Sequence, residues 1–297
     1  MKLFFLGSGT SSGVPQMGCH CPVCRSNDPH DKRTRCSSII HTDDGRLIMI
    51  DCGPDFRTQM LRYLNAHPYS PESNTLPYHH RNIAEMTDEQ ARAAGLHEAP
   101  RYDYALPAID LVLMTHEHFD HTAGLDDLRP FSIFQPIEIC AEPNVAAPIL
   151  RNMHYCFREK RYPGSPHLTM REISPSTTIQ HGATTIQPIR VMHGRLPILG
   201  YRIGGLTYIT DMTSLPEEEW HKVEGTDTLL VNALRFEEHP THQNIAQAVA
   251  FAQRVGARRT YFIHMSQGAG LHADAPHHLP EGMAFAYDGL EIEIPSV

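Results

Sequence analysis

An α/β fold is predicted from three observations. Apolar runs of strand length recur along the chain, segments with helical periodicity lie between some of them, and the residue just after a run is repeatedly His or Asp. The third observation also points to function, because strand ends in α/β proteins open onto clefts where ligands are held.

Taken in order, the runs are Leu3–Leu6, Leu47–Ile50, Leu111–Met114, Ile137–Cys140, Tyr208–Thr210, Leu229–Val231, Tyr261–Ile263 and Leu290–Ile294. Met1-Lys2-Leu3-Phe4-Phe5-Leu6-Gly7 is too short for a signal peptide and lacks a small-residue cleavage site, so it reads as a first strand entering a glycine loop. Ile245, Ala248, Val249 and Phe251 stripe one face of a helix over Asn244–Arg254, and a second helix is expected over about Val145–Phe157. The stretch from His67 to Leu106 interrupts the pattern. It is rich in Pro, Tyr, His and Asn, has one short helix-like piece (Thr87–Ala94), and reads as an insertion that could serve as a lid. The expected organisation is one domain over residues 1–297 with that segment inserted.

Composition excludes several classes. A hydrophobic content of 41% with 20% charged residues is globular, and no apolar run approaches the length of a membrane span. A formal net charge of -9 argues against broad nucleic-acid binding. The seven cysteines are an odd number, and Cys19, Cys21 and Cys24 crowd into six residues, which suits a metal better than a disulfide framework. Cysteine usage of this kind fits a reducing, cytoplasmic setting.

Thr115-His116-Glu117-His118-Phe119-Asp120-His121 is the richest stretch. On an extended strand end, His116 and His118 point the same way and can share one ion; Asp120 and His121, in the following turn, can face a second. His193, Asp211 and His264 each follow an apolar run. Two ions a few ångströms apart need a bridging carboxylate, for which Asp211 is the natural candidate. Such a pair makes a nucleophile at neutral pH and clamps phosphoester oxygens.

These residues resemble the metallo-β-lactamase superfamily of hydrolases. Gly7-Ser8-Gly9-Thr10-Ser11-Ser12-Gly13-Val14-Pro15, Gly18-Cys19-His20-Cys21-Pro22-Val23-Cys24, Ile50-Asp51-Cys52-Gly53 and Tyr287-Asp288-Gly289-Leu290-Glu291-Ile292 are similar to the phosphoribosyl cyclic phosphate phosphodiesterases of the carbon–phosphorus lyase pathway. The resemblance implies an αββα four-layer sandwich with zinc or manganese at one edge of two packed sheets. It implies His116, His118 and His193 on one ion, Asp120, His121 and His264 on the other, and Asp211 between them. Asp120 is counted in the catalytic set as well, and Asp51 is expected to orient a ligand loop. His242, just ahead of the Asn244 helix, would sit near the scissile phosphate as a catalytic acid; the plainer reading is a helix start capped by Thr241. Arg129 and Arg195 are candidates to hold a phosphate. The cysteines would hold a structural zinc, whose usual fourth ligand, a histidine, is replaced here by Gln267; His272 is the nearest substitute.

The function expected is that of a two-metal phosphodiesterase on a small, cyclic phosphate ester, with a hydroxide shared by the ions as nucleophile. An RNA-processing nuclease, a thioester or lactam hydrolase, and a metal carrier without hydrolytic function are the alternatives. The partner expected is the small substrate, without membrane or nucleic acid; a homodimer is compatible with the sequence.

Overall fold

The computed structural model describes residues 1–70, 78–160, 162 and 164–295; the part of the expected insertion at 71–77 lies outside them. Its strands, in chain order, begin with β1 (Lys2–Gly7), β2 (Ser37–His41) and β3 (Leu47–Ile50). Next come β4 (Tyr78–Ala84), β5 (Arg101–Pro107), β6 (Ile109–Leu113), β7 (Ile137–Ala141) and β8 (Leu168–Glu172). The second half holds β9 (Ile179–His181), β10 (Thr184–His193), β11 (Leu196–Ile203), β12 (Leu206–Ile209) and β13 (Thr228–Asn232). The last three are β14 (Arg259–Ile263), β15 (Met283–Phe285) and β16 (Glu291–Glu293).

Fourteen of them form two seven-stranded sheets, ordered β16-β1-β2-β3-β6-β7-β8 and β15-β14-β13-β12-β11-β10-β9. Strands of both sheets alternate their faces. Leu3, Phe5, Ile48, Ile50, Leu111 and Leu113 from the first meet Leu199, Tyr201, Leu206, Tyr208, Leu230 and Ile263 from the second. On the outer face of the first sheet, Phe4, Met49, Val112 and Ile139 pack against Phe56, Met60 and Tyr63 of a helix over Phe56–Ala66 and Val145 and Ile149 of one over Pro143–Asn152. On the outer face of the second, Val191, Leu229, Val231 and Phe262 pack against Ile245, Ala248, Phe251 and Ala252 of a helix over Ile245–Val255. Helix, sheet, sheet, helix is the αββα sandwich expected.

The helix expected over Val145–Phe157 stops at Asn152, and a 3₁₀ turn at His154–Cys156 completes it. Thr241 is not the cap of the helix after His242: Asn244 is, its side chain accepting from the Gln247 N–H while Gln247 reaches back to the Asn244 N–H. The His67–Leu106 segment holds the short helix expected and, beyond it, two strands that were not expected. β4 and β5 pair along seven residues each, joined through the short helix Asp88–Ala93, which Thr87 caps. The ribbon leans on the segment behind the metal loop through Arg81, which donates to the Ile133 carbonyl, and through His79, stacked on Phe134. Among the described residues no hydrogen bond ties it to the histidine cluster, so the lid reading gains no contact.

Candidate metal centre

Five strand ends converge at one edge of the sandwich. β3 and β6 deliver Asp51 and Thr115–His121; β10, β12 and β14 deliver His193, Asp211 and His264. Parallel pairing of β3 with β6, of β12 with β13 and of β13 with β14 is what places these ends side by side. Asp51, Asp211 and His264 have φ of 57°, 55° and 56°, in the left-handed region that side-chain-bearing residues avoid. Each costs on the order of 1–3 kcal/mol of local strain, which the surrounding sheets hold in place. Close approach also fixes the loops: a Cβ on Gly53 would lie 2.1 Å from the Asp120 carbonyl oxygen.

Hydrogen bonds decide which ring nitrogens face the centre. Asp51, fully buried, accepts from the Thr115 N–H (2.8 Å), the Thr115 hydroxyl (2.8 Å) and His121 Nδ1 (2.7 Å). The His121 proton is therefore on Nδ1, and Nε2 offers its lone pair. Thr115 spends its proton on Asp51, so its oxygen accepts from His116 Nδ1 at 2.9 Å, again freeing Nε2. His193 Nδ1 donates to the Thr241 carbonyl at 2.7 Å with the same result.

The free nitrogens and carboxylates gather. His116 Nε2 is 3.0 Å from His118 Nδ1, and the His118 and His193 rings are 5.3 Å apart. His121 Nε2 lies 3.2 Å from Asp120 Oδ2 and 3.3 Å from Asp211 Oδ2; His264 Nε2 lies 3.1 Å from Asp211 Oδ1 and 3.5 Å from Asp120 Oδ2. Ligand atoms of His116, His121 and Asp211 lie within 4.8 Å of one another, as do those of Asp120, His121 and His264, and those of His193, Asp211 and His242. Asp211 is thus shared between clusters.

The donor set fits cations. His121 Nε2 is buried and makes no hydrogen bond of proper geometry, although two carboxylates are beside it. Burial works against charge on Asp120, yet the imidazoles of His121 and His264 beside it hold its carboxyl far below the usual range. Burial likewise opposes charge on Asp211, but the fields of His264 and His121 prevail and hold it well below. Two buried, ionised carboxylates whose partners are imidazoles, with no Lys or Arg paired to them among the described residues, make a site that favours divalent ions.

His242 lies against this cluster. Its Nε2 is 2.9 Å from Asp211 Oδ1, its Nδ1 is 3.0 Å from the Thr241 hydroxyl and 3.1 Å from His239 Nδ1, and its ring stacks on His264 at 5.1 Å. Burial lowers its pKa, partly offset by Asp211. Thr115 and His239 carry contacts that spacing could not announce: the first lies inside the motif, the second three residues before His242 in a loop without periodicity.

Arg129 is engaged by Asp126 at 2.6 Å, and Arg195 is exposed in the turn between β10 and β11. Cys19, Cys21 and Cys24 gather within 4.8 Å of one another without His272. Its turn presents Leu271 to the cysteines instead, while the His272 ring packs 4.8 Å from His30 and its N–H donates to Asp31. Gln267 Nε2 donates to Gln16, whose own N–H points at Cys24 Sγ. Asp288, in the Tyr287-Asp288-Gly289 stretch with its side chain buried, accepts from Ser8, Thr34 and Arg62 and ties the N-terminal glycine loop to the C-terminal strand.

The fold and the site define a β-lactamase-type metallohydrolase framework, and the chain belongs to that family: the beta-lactamase superfamily domain matches residues 87–265. Members of the family are hydrolases that hold divalent metal ions. The chain is similar to a diphosphatase of the PhnP family, with 31% identity, a TM-score of 0.77, and coverage of 98% of this chain and 96% of that one. It is 41% identical over 292 residues to an octanoyltransferase of Porphyromonas gingivalis (98% of this chain, 51% of that protein), so it spans about half that relative's length. Zinc-bound PqqB of Methylobacterium extorquens shares the fold at 20% identity and a TM-score of 0.70, covering 99% of this chain and 100% of that one.

Among the described residues, no helix is long and apolar enough to cross a membrane.

Proposed function

We propose that the chain is a two-metal phosphodiesterase acting on small phosphate esters, cyclic ones among them. The observation that carries this reading is the shared position of Asp211, whose ligand atoms gather both with those of His116 and His121 and with those of His193 and His242. His116, His118 and His193 would hold one ion and Asp120, His121 and His264 the other, with Asp211 bridging. Bound there, the ions supply a nucleophile from water at neutral pH and neutralise charge on the phosphate oxygens.

The chain's own residues do the rest. Asp51 and Thr115 fix the tautomers of His121 and His116, so lone pairs and not protons face the centre. Because a carboxylate only accepts, the proton in the His242–Asp211 contact sits on His242 Nε2, already aimed at the centre. Protonated on both ring nitrogens, His242 would bind the phosphate or give its Nε2 proton to the departing alkoxide and return to the neutral ring. Similarity to the PhnP-family diphosphatase supports a phosphoester.

The name of the 41% identical relative favours a second reading, hydrolysis of an acyl thioester. One panel separates the two: five-membered cyclic phosphates, bis(4-nitrophenyl) phosphate and an octanoyl thioester, each with zinc- or manganese-loaded protein and with chelator. Turnover of the phosphodiesters that chelator abolishes is expected. Hydrolysis of the thioester alone, or of nothing by fully loaded protein, refutes the proposal.

A further inference from the structure

A cavity of about 710 Å³ adjoins the metal centre, and its wall includes His118 and Asp120 themselves. Its volume suits a small organic group. Phe119 stands between those two residues at the first position of a helical turn, Phe119–Thr122, and is 74% exposed. Because Phe119 also lines this cavity, its ring offers an apolar face to whatever enters beside the centre. The lining also includes Pro148, Ile149, Met153 and Tyr155, with Arg151 and Asn152.

The wall is set before any ligand arrives. The Tyr155 hydroxyl donates to Asp126 Oδ1 at 2.8 Å, and Arg129 holds Asp126 Oδ2 at 2.6 Å. This ties down the far edge of the Tyr155 ring, so less freedom is lost on binding. Two aromatic rings and a thioether favour a flat ring over a flexible chain, since aromatic groups stack face or edge and sulfur contacts ring edges. Arg151 and Asn152 add donors that an alkyl chain could not use and a heteroaromatic ring could.

We infer that Phe119, Met153 and Tyr155 form a specificity subsite that seats an aromatic ring carried on one ester arm of the substrate phosphate. The inference rests on the phosphodiester reading, because the pocket is placed against residues proposed to hold the ions. It makes Phe119 a selector of the ester arm. Neither the cluster of ligands nor the family match assigns it that role.

The test is calorimetric titration of zinc-loaded protein with methyl, hexyl and phenyl phosphate, together with turnover of bis(4-nitrophenyl) phosphate. Phenyl phosphate is expected to bind about tenfold more tightly than methyl phosphate, and more tightly than hexyl phosphate. Phe119→Ala removes most of that preference, and Phe119→Leu removes the phenyl advantage over hexyl. Phe119 is exposed, so both variants fold. Equal binding of the three esters, tighter binding of hexyl phosphate, or a preference indifferent to Phe119→Ala overturns the inference. Ring preference without diester turnover would refute the activity and keep the subsite; turnover without ring preference would do the reverse.

Discussion

At the scale of single residues, Asp51 controls the centre without facing it. It fixes the proton of His121 on Nδ1 and so leaves Nε2 free to ligate. In Asp51→Asn, an amide N–H₂ in place of Oδ2 faces the His121 Nδ1–H, and relief comes from moving the proton to Nε2, where it blocks a metal. Metal affinity is expected to fall about 10–100-fold, measured by competition with a chromophoric chelator; an unchanged affinity would show that the tautomer is set elsewhere. The positions proposed as ligands were legible in sequence, because His193, Asp211 and His264 each follow an apolar run directly and the other four share one motif just after another. His272 was not: whether a turn presents Leu271 or His272 to the cysteines depends on how it docks, and no local spacing encodes that. Nor was the contact of Thr115 with both Asp51 and His116, which exists only once β3 and β6 lie side by side.

At the scale of elements, the helix Ile245–Val255 anchors the loop that carries His242. Its reciprocal cap of Asn244 and Gln247 begins two residues after that histidine, and Gly256 closes the other end at a φ of 72°. Asn244→Ala is expected to cost about 1 kcal/mol of stability. It should lower turnover while leaving bound metal unchanged, read from thermal unfolding, kinetics and elemental analysis on one sample; loss of metal would show that the helix supports the ligands too. This helix was readable to within a residue at each end, since its apolar stripe and cap are local signals. The β4–β5 ribbon was not. Its strands Tyr78–Ala84 and Arg101–Pro107 bury almost nothing, so no alternation of apolar and polar residues marks them. β11 was missed as well: Pro197 and Gly200 interrupt its run, and only its position between β10 and β12 makes it a strand.

At the scale of the whole molecule, the end of the sandwich where β1 starts and β2 finishes carries its own titrating group. His41 is buried near His67, Glu291, Lys2 and Tyr63, and its Nε2 is 2.8 Å from the Tyr63 hydroxyl. Burial first, and the neighbouring His67 second, push its pKa down to about 4. An unfolded histidine titrates near 6.5. Above that pH both states are neutral and nothing is lost. As pH falls from about 6.5 towards 4, the unfolded chain takes up a proton the folded one refuses, which removes up to about 3 kcal/mol of stability. Urea unfolding at pH 7 and pH 4.5 should show a smaller difference for His41→Gln than for the parent chain. Equal differences would assign the acid sensitivity to other groups. The αββα layering was expected from the family resemblance and not from the apolar runs: which runs share a sheet, and which neighbours run antiparallel, was not decidable from periodicity, because fully buried strands read alike.

The left-handed backbone at Asp51, Asp211 and His264 also bears on how such a chain can change over generations. At a positive φ the residues tolerated are chiefly Gly, Asn, Asp and His. The chemistry of the centre accepts Asp and His from that same short alphabet. A descendant that lost its catalytic purpose would therefore drift at these three positions to Asn or Gly well before Ala, Val or Leu. Decay here should leave the sandwich intact and write its record in amides and glycines.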